Sequence, residues 1–216
     1  MGYTHYWKMD GERKHFTERE WHTFRQLWCE VYPKLPKTDA TCSGDPLPLA
    51  LAVCDKSPAK KTIVATDAGQ VFTTHTLFES DGDEVTNIMS FNGCHPDDPD
   101  GNRIDLGHEG FHILQKGNDD FNFCKTARKP YDFAVCVALG CLRMAVEEDG
   151  VLQITSDGGL NDWEPALLFL KDNLESRVID AYGFSTANEL LFIMNTKITP
   201  APHPESPFDP IAWLMS

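Results

Sequence analysis

Residues able to hold or transform an anion concentrate in one stretch, Phe121-Asn-Phe-Cys-Lys-Thr-Ala-Arg-Lys-Pro-Tyr-Asp132. Three of the nineteen basic residues (Lys125, Arg128 and Lys129) fall within five positions there, against thirty-three acidic residues in the whole chain. Phe121 and Phe123 alternate with polar neighbours, as at the end of a half-buried strand. Pro130-Tyr131-Asp132 then predicts a turn into a helix, with Asp132 as its N-cap. A basic loop between a strand and a helix N-terminus suits an anion, because positive side chains and unpaired N–H groups converge there. The same cations could pair with the surplus carboxylates instead, since arginine suits carboxylate and phosphate equally.

Other constellations carry less. His108-Glu-Gly-Phe-His112 matches the HExxH pattern, in which a helix sets two imidazoles on one zinc ion. Gly107, Gly110 and Gly117 weaken a helix there, and Phe111-His-Ile-Leu favours a strand. On a strand His108 and His112 share a face but lie ~13 Å apart, too far for one metal. No metal and no cofactor is therefore expected, with His108 and His112 as the residues that a zinc site would use. Asp98-Pro-Asp-Gly-Asn102 echoes a calcium loop, but Arg103 stands where such a loop needs glycine. There is no phosphate-binding glycine loop and no GxSxG elbow. Cys124 beside Lys125 could have a lowered pKa, yet buried strand packing accounts for it better. Tyr3-Thr-His-Tyr-Trp7 offers rings and an imidazole that could stack on a planar ligand, or simply fill the core.

The elements that must position these groups follow from hydrophobic spacing. The β-prone Tyr3–Trp7 stretch predicts a strand tied into a sheet. Thr17-Glu-Arg-Glu20 is a capping box, and Trp21, Phe24, Leu27, Trp28 and Val31 behind it recur at helical spacing over about 17–32. Strands are expected at Ile63–Ala65, Val71–Thr74, Val85–Phe91, Phe111–Leu114, Asn118–Cys124 and Val151–Thr155, with an acidic loop over His95–Arg103. Phe133–Glu148 is apolar nearly all round and predicts a central buried helix, in which Cys136 and Cys141 act as small hydrophobes. Trp163–Leu174 predicts another helix, with Pro165 in its first turn. The order of elements implies an α+β fold, a mainly antiparallel sheet with three principal helices packed on it. Residues 1–175 form that domain. Residues 176–216 form a C-terminal appendage with a helical segment at Glu189–Met194 and five prolines between Pro200 and Pro210.

Bulk composition narrows the partners. A formal charge of −14 over 216 residues repels phosphate backbones, so general nucleic-acid binding is disfavoured. No apolar run approaches the ~20 residues that span a bilayer, so no membrane is expected. The first residues lack the pattern of a signal peptide, and Tyr6 spoils a myristoylation reading of Gly2. Seven cysteines without a CxxC pair fit a reducing compartment, hence the cytoplasm.

Met1-Gly-Tyr-Thr-His-Tyr-Trp7, Phe91-Asn-Gly93, Glu109-x-Phe111, Phe123-Cys-Lys-Thr-Ala-x-x-Pro-Tyr-Asp132 and Ser156-Asp-Gly158 together resemble an uncharacterised family of small bacteriophage and prophage proteins. The resemblance covers discrete motifs over about 1–175 and implies a phage context without a settled activity. Its motif residues nominate a ligand site of Tyr6, Trp7, Asn92, Glu109, Lys125, Thr126, Arg128, Tyr131, Asp132 and Asp157. In that site Lys125 and Arg128 contact an anionic group and Tyr6 or Trp7 stacks on a ring. Asp132 or Asp157 orients a cation or takes a ribose hydroxyl. The leading expectation is a binding protein for a nucleotide-like molecule, sequestering a host immune signal in a counter-defence role. A hydrolase of such a signal is the second, with Glu109 or Asp157 as general base and Lys125 or Arg128 stabilising negative charge. An acidic inhibitor of a host protein is the third, acting through residues such as Asp97, Asp98 and Asp100.

Overall fold

The capping box forms as the sequence dictates and starts the first helix. Thr17 accepts from the Glu20 amide at 3.2 Å, and the Glu20 carboxylate accepts from the Thr17 amide at 2.8 Å. Arg13 also pairs with Glu20, which compensates a carboxylate that is almost fully buried. The computed structural model describes residues 3–9, 13–39, 47–52, 64–65, 71–72, 78–80, 87–95, 106–116, 121–146, 151–182 and 198–200. Its helices are α1 (Glu18–Val31), α2 (Asp132–Ala145) and α3 (Leu160–Tyr182). Its strands open with β1 (Thr4–Met9), β2 (Thr38–Asp39), β3 (Leu47–Pro48), β4 (Leu51–Ala52), β5 (Val64–Ala65) and β6 (Val71–Phe72). They continue with β7 (Phe78–Ser80), β8 (Asn87–Gly93), β9 (Phe111–Leu114), β10 (Asn122–Lys125), β11 (Leu152–Ser156) and β12 (Ile198–Pro200).

The fold is α+β. One four-stranded sheet has the order β10-β1-β11-β12, antiparallel except for the β11–β12 pair. A second sheet centres on β8, which pairs antiparallel with β4, β7 and β9. The N-terminal strand thus lies inside its sheet, with β10 and β11 on either side. Register fixes which side chains share a face: His5 opposes Cys124 and Ser156, while Tyr6 opposes Phe123 and Thr155. Because strand side chains alternate, His5 and Trp7 point inward and Tyr6 and Lys8 point outward.

The inner face packs under the helices. Every residue of α2 from Phe133 to Ala145 is buried, which is why the segment is apolar nearly all round, with Arg143 the charged exception. An aromatic chain joins the two sheets to α1. Trp28 stacks on Phe91 with ring centroids 5.7 Å apart, Phe91 meets Phe111 at 5.0 Å, and Phe111 meets Trp7 at 5.2 Å.

Three local expectations are corrected. Tyr131, not Asp132, occupies the N-cap of α2, and the Asp132 carboxylate turns to other partners. Helix α3 begins at Leu160 and continues to Tyr182, past the expected Leu174, with Pro165 inside it rather than in its first turn. Strand β10 is half-buried as expected, but Cys124 is its buried side chain and Phe123 faces out. Strand β12, within residues 176–216, pairs parallel with β11 of the main sheet. The Glu189–Met194 segment and the acidic residues 97–100 lie outside the described residues.

Candidate functional site

The basic block folds as β10, a tight turn and the start of α2. Ala127 and Arg128 both have positive φ, 52° and 56°. Side chains resist that region by about 1–2 kcal/mol per residue. Three hydrogen bonds hold the turn: Thr126 and Ala127 amides donate to the Tyr3 carbonyl at 3.0 and 3.1 Å, and the Lys129 amide donates to Thr126 O at 3.1 Å. The turn carries the Arg128 guanidinium over the Tyr3 ring, 4.1 Å from its centroid. Arg128 Nη1 also donates to Asp162 Oδ1 of α3 at 2.5 Å, a bond that raises the guanidinium pKa further. Arg128 is committed to Tyr3 and α3.

Beneath the turn is a polar cluster set into the core. His5 Nε2 lies 2.8 Å from Asp132 Oδ1, and the Thr126 hydroxyl donates to the same oxygen. Cys136 Sγ lies 3.7 Å from His5 Nε2. Asp132 and Cys136 are four residues apart on α2 and therefore share a face, while His5 arrives on the inner side of β1. The His5 ring is flanked by Tyr3 and Trp163, each perpendicular to it at 5.1 Å. Tyr3 Oη and His5 Nδ1 are buried, and His5 Nδ1 has no hydrogen-bond partner among the described residues. Burial pushes the Tyr3 hydroxyl well above the usual phenol range; Cys136 and Asp132 add to the rise, and Ser156 partly opposes it. Gly158 is required here, since a Cβ would stand 2.1 Å from Tyr3 Oη.

The outer face of the same sheet is different in kind. Phe121 and Phe123 are 57% and 54% exposed, the two most exposed large hydrophobics among the described residues. Tyr6 meets Phe121 at 5.5 Å between centroids, and Phe121 meets Phe123 at 6.1 Å. Tyr6 donates from its hydroxyl to Asp157 Oδ1 at 3.2 Å. Lys125 follows Phe123 on the same side of β10, about 7 Å further along the strand. Its ammonium has no ion pair among the described residues.

The expected site residues therefore divide. Tyr6, Lys125 and Asp157 share the outer face. Asp132 and Thr126 belong to the inner cluster, where Thr126 is fully buried. Trp7 is 3% exposed and packs on Phe111, so it cannot stack on a ligand beside Tyr6. Tyr131 is buried, and its hydroxyl donates to Glu109 O at 2.7 Å. The Glu109 carboxylate accepts from the Lys125 amide at 2.9 Å and pins β10. Asn92 Oδ1 accepts from the Gly93 and His108 amides at 2.8 and 3.2 Å, and its Nδ2 donates to His108 O at 3.0 Å. It organises the backbone that leads to Glu109. His112 lies on β9 with Ser90 Oγ 2.9 Å from its Nδ1, and His108 is exposed outside any helix.

Sequence reasoning missed His5 and Cys136 as neighbours of Asp132. The Asp132-x-x-x-Cys136 spacing was visible, but only the pairing of β1 with β10 brings His5 to it. Phe121 and Phe123 were visible as an alternation, without the side they face.

No protein-family model matches the chain, and neither a curated protein nor a solved structure matches it.

Proposed function

We propose that this protein binds a small anionic molecule with a planar ring, of nucleotide type, on the outer face of the β10-β1-β11 sheet. The observation that carries the reading is the pair of exposed rings, Phe121 and Phe123, set beside Tyr6 and Lys125. A chain with a well-filled aromatic core gains nothing in stability from leaving two phenylalanines more than half in water. Stacking a base on an exposed ring contributes about 1–3 kcal/mol, enough to hold a small ligand with help from one charge. Lys125 supplies that charge to a phosphate, and Asp157 can accept from a sugar hydroxyl in place of Tyr6. A formal charge of −14 keeps the ligand small, because a long phosphate backbone would meet repulsion beyond the patch.

Binding is favoured over turnover. The Glu109 carboxylate holds the Lys125 amide and the Asp157 carboxylate holds the Tyr6 hydroxyl, so each candidate base already has a structural partner. Retention of an intact signalling nucleotide, as the phage resemblance suggests, is the role we infer.

The test is calorimetric titration with a panel of mono-, cyclic and dinucleotides, followed by recovery of the ligand. At least one member should bind and return unchanged. Phe123→Ala and Lys125→Ala should each weaken it by roughly tenfold, in line with the loss of one stacking or charge contact. Both substitutions alter outward-facing side chains, so the melting temperature should hold. Absence of binding across the panel, or equal affinity in a Phe121→Ala/Phe123→Ala double variant, would overturn the proposal.

A further inference from the structure

We infer that His5, Asp132 and Cys136 form a binding site for a divalent transition-metal ion, with zinc the best fit to the donor set. Their ligand atoms (His5 Nε2, a carboxylate oxygen of Asp132 and Cys136 Sγ) all lie within 4.8 Å of one another. Bonds of about 2.0–2.3 Å to a tetrahedral zinc ion place ligand atoms between three and four ångströms apart. The observed 2.8 Å from His5 to Asp132 and 3.7 Å from His5 to Cys136 bracket that spacing. Side-chain adjustment brings the three ligand atoms onto one ion.

Proton placement at His5 points the same way. A neutral imidazole carries one N–H. If the proton is on Nε2 it serves Asp132, and Nδ1 is a buried acceptor with no partner. If it is on Nδ1, the Nε2 lone pair faces the carboxylate at 2.8 Å with nothing between them. A cation bound at Nε2 removes the lone-pair conflict of the second arrangement, because lone pair, carboxylate and thiolate then converge on one positive charge; the Nδ1–H stays without a hydrogen-bond partner among the described residues in that arrangement. The Cys136 thiol gives its proton to solvent as the sulfur–metal bond forms. A neutral imidazole, a carboxylate and a thiolate together balance a doubly charged ion, so no net charge is left in the core.

The mixed nitrogen, oxygen and sulfur set selects against magnesium and calcium, which take oxygen ligands. Thr126, donating to the Asp132 oxygen that faces His5, holds the carboxylate in place, as outer partners of metal ligands do. Entry is from the Asp132 side: its side chain is 17% exposed, whereas His5 is fully buried. Three protein ligands leave a fourth position there for water or for a donor atom of a ligand. The site lies on the inner face of the sheet and does not depend on the nucleotide reading of the outer face.

The test is metal analysis of the full chain after purification in zinc-supplemented medium, with cobalt substitution as the second probe. Wild type should retain about one equivalent of zinc. With cobalt it should show thiolate-to-metal charge-transfer absorption. Cys136→Ser should abolish that band, Cys141→Ser should preserve it, and Asp132→Asn should weaken zinc binding by at least roughly tenfold. Folding of each variant is checked by circular dichroism. A folded wild type that takes up neither metal overturns the proposal without recourse to variants. A thiolate–cobalt band that survives Cys136→Ser overturns it as well, by assigning the metal to another cysteine.

Discussion

Tyr3 shows how one side chain can be held between two environments. Its hydroxyl is buried, its ring carries Arg128, and its carbonyl accepts both turn amides. The space for that hydroxyl is provided by Gly158, so Gly158→Ala should disturb the turn and the cluster together. Overpacking of this kind typically destabilises by about 1–3 kcal/mol, to be read from chemical denaturation. A Gly158→Ala variant as stable as wild type would mean that Tyr3 can swing away at no penalty, and that its position does not organise the site. The same residue marks the limit of reading this site in sequence. Clustered cations are visible as a cluster, but whether an arginine is available to a ligand depends on Asp162, thirty-four positions away on another helix. Lys125 has no ion pair among the described residues, and Arg128 pairs with Asp162. No local pattern separates them.

At the scale of elements, the legible parts are those whose signals are local. Helix α1 carries its own start signal and its own apolar stripe, and it forms where both predict. Thr17→Ala should therefore destabilise the protein by about 1 kcal/mol, with an unchanged dependence on denaturant concentration. No loss would show that the Arg13–Glu20 pair alone fixes the helix start. The nearly all-apolar α2 was equally legible as a buried helix. Less legible was β10, because a four-residue strand with one cysteine and one phenylalanine gives no decisive phase. Its register was set by β1 and by the Glu109 carboxylate holding the Lys125 amide, both distant in sequence. The length of α3 was missed because Pro165 invited a start near itself. A helix opened by Leu160 instead places the Asp162 carboxylate on the Gly159 amide at 2.9 Å.

Across the whole molecule, buried weak acids set the alkaline limit of stability. Burial raises Cys29 to about 11 against an ordinary 9.0, with Arg25 pulling slightly downward. Burial also raises Cys141, Tyr32 and Tyr3 above their ordinary values. For each group the folded protein keeps its proton to higher pH than the unfolded chain does. Below the unfolded pKa both states are protonated, and the stabilising contribution is fully present. Above it the unfolded chain ionises first, so folding stability falls as pH rises toward the folded pKa. Stability should therefore be level through neutral pH and decline above about pH 9, where unfolded cysteine thiols begin to ionise. Denaturation midpoints measured from pH 7 to pH 11 test this directly. Cys29→Ala should make the decline shallower by about one proton between pH 9 and 11, while leaving the plateau shape intact. If wild type and variant fall with the same slope, Cys29 is ionised in the folded state at the same pH as in the unfolded chain. The alkaline limit would then belong to the buried tyrosines and Cys141 alone.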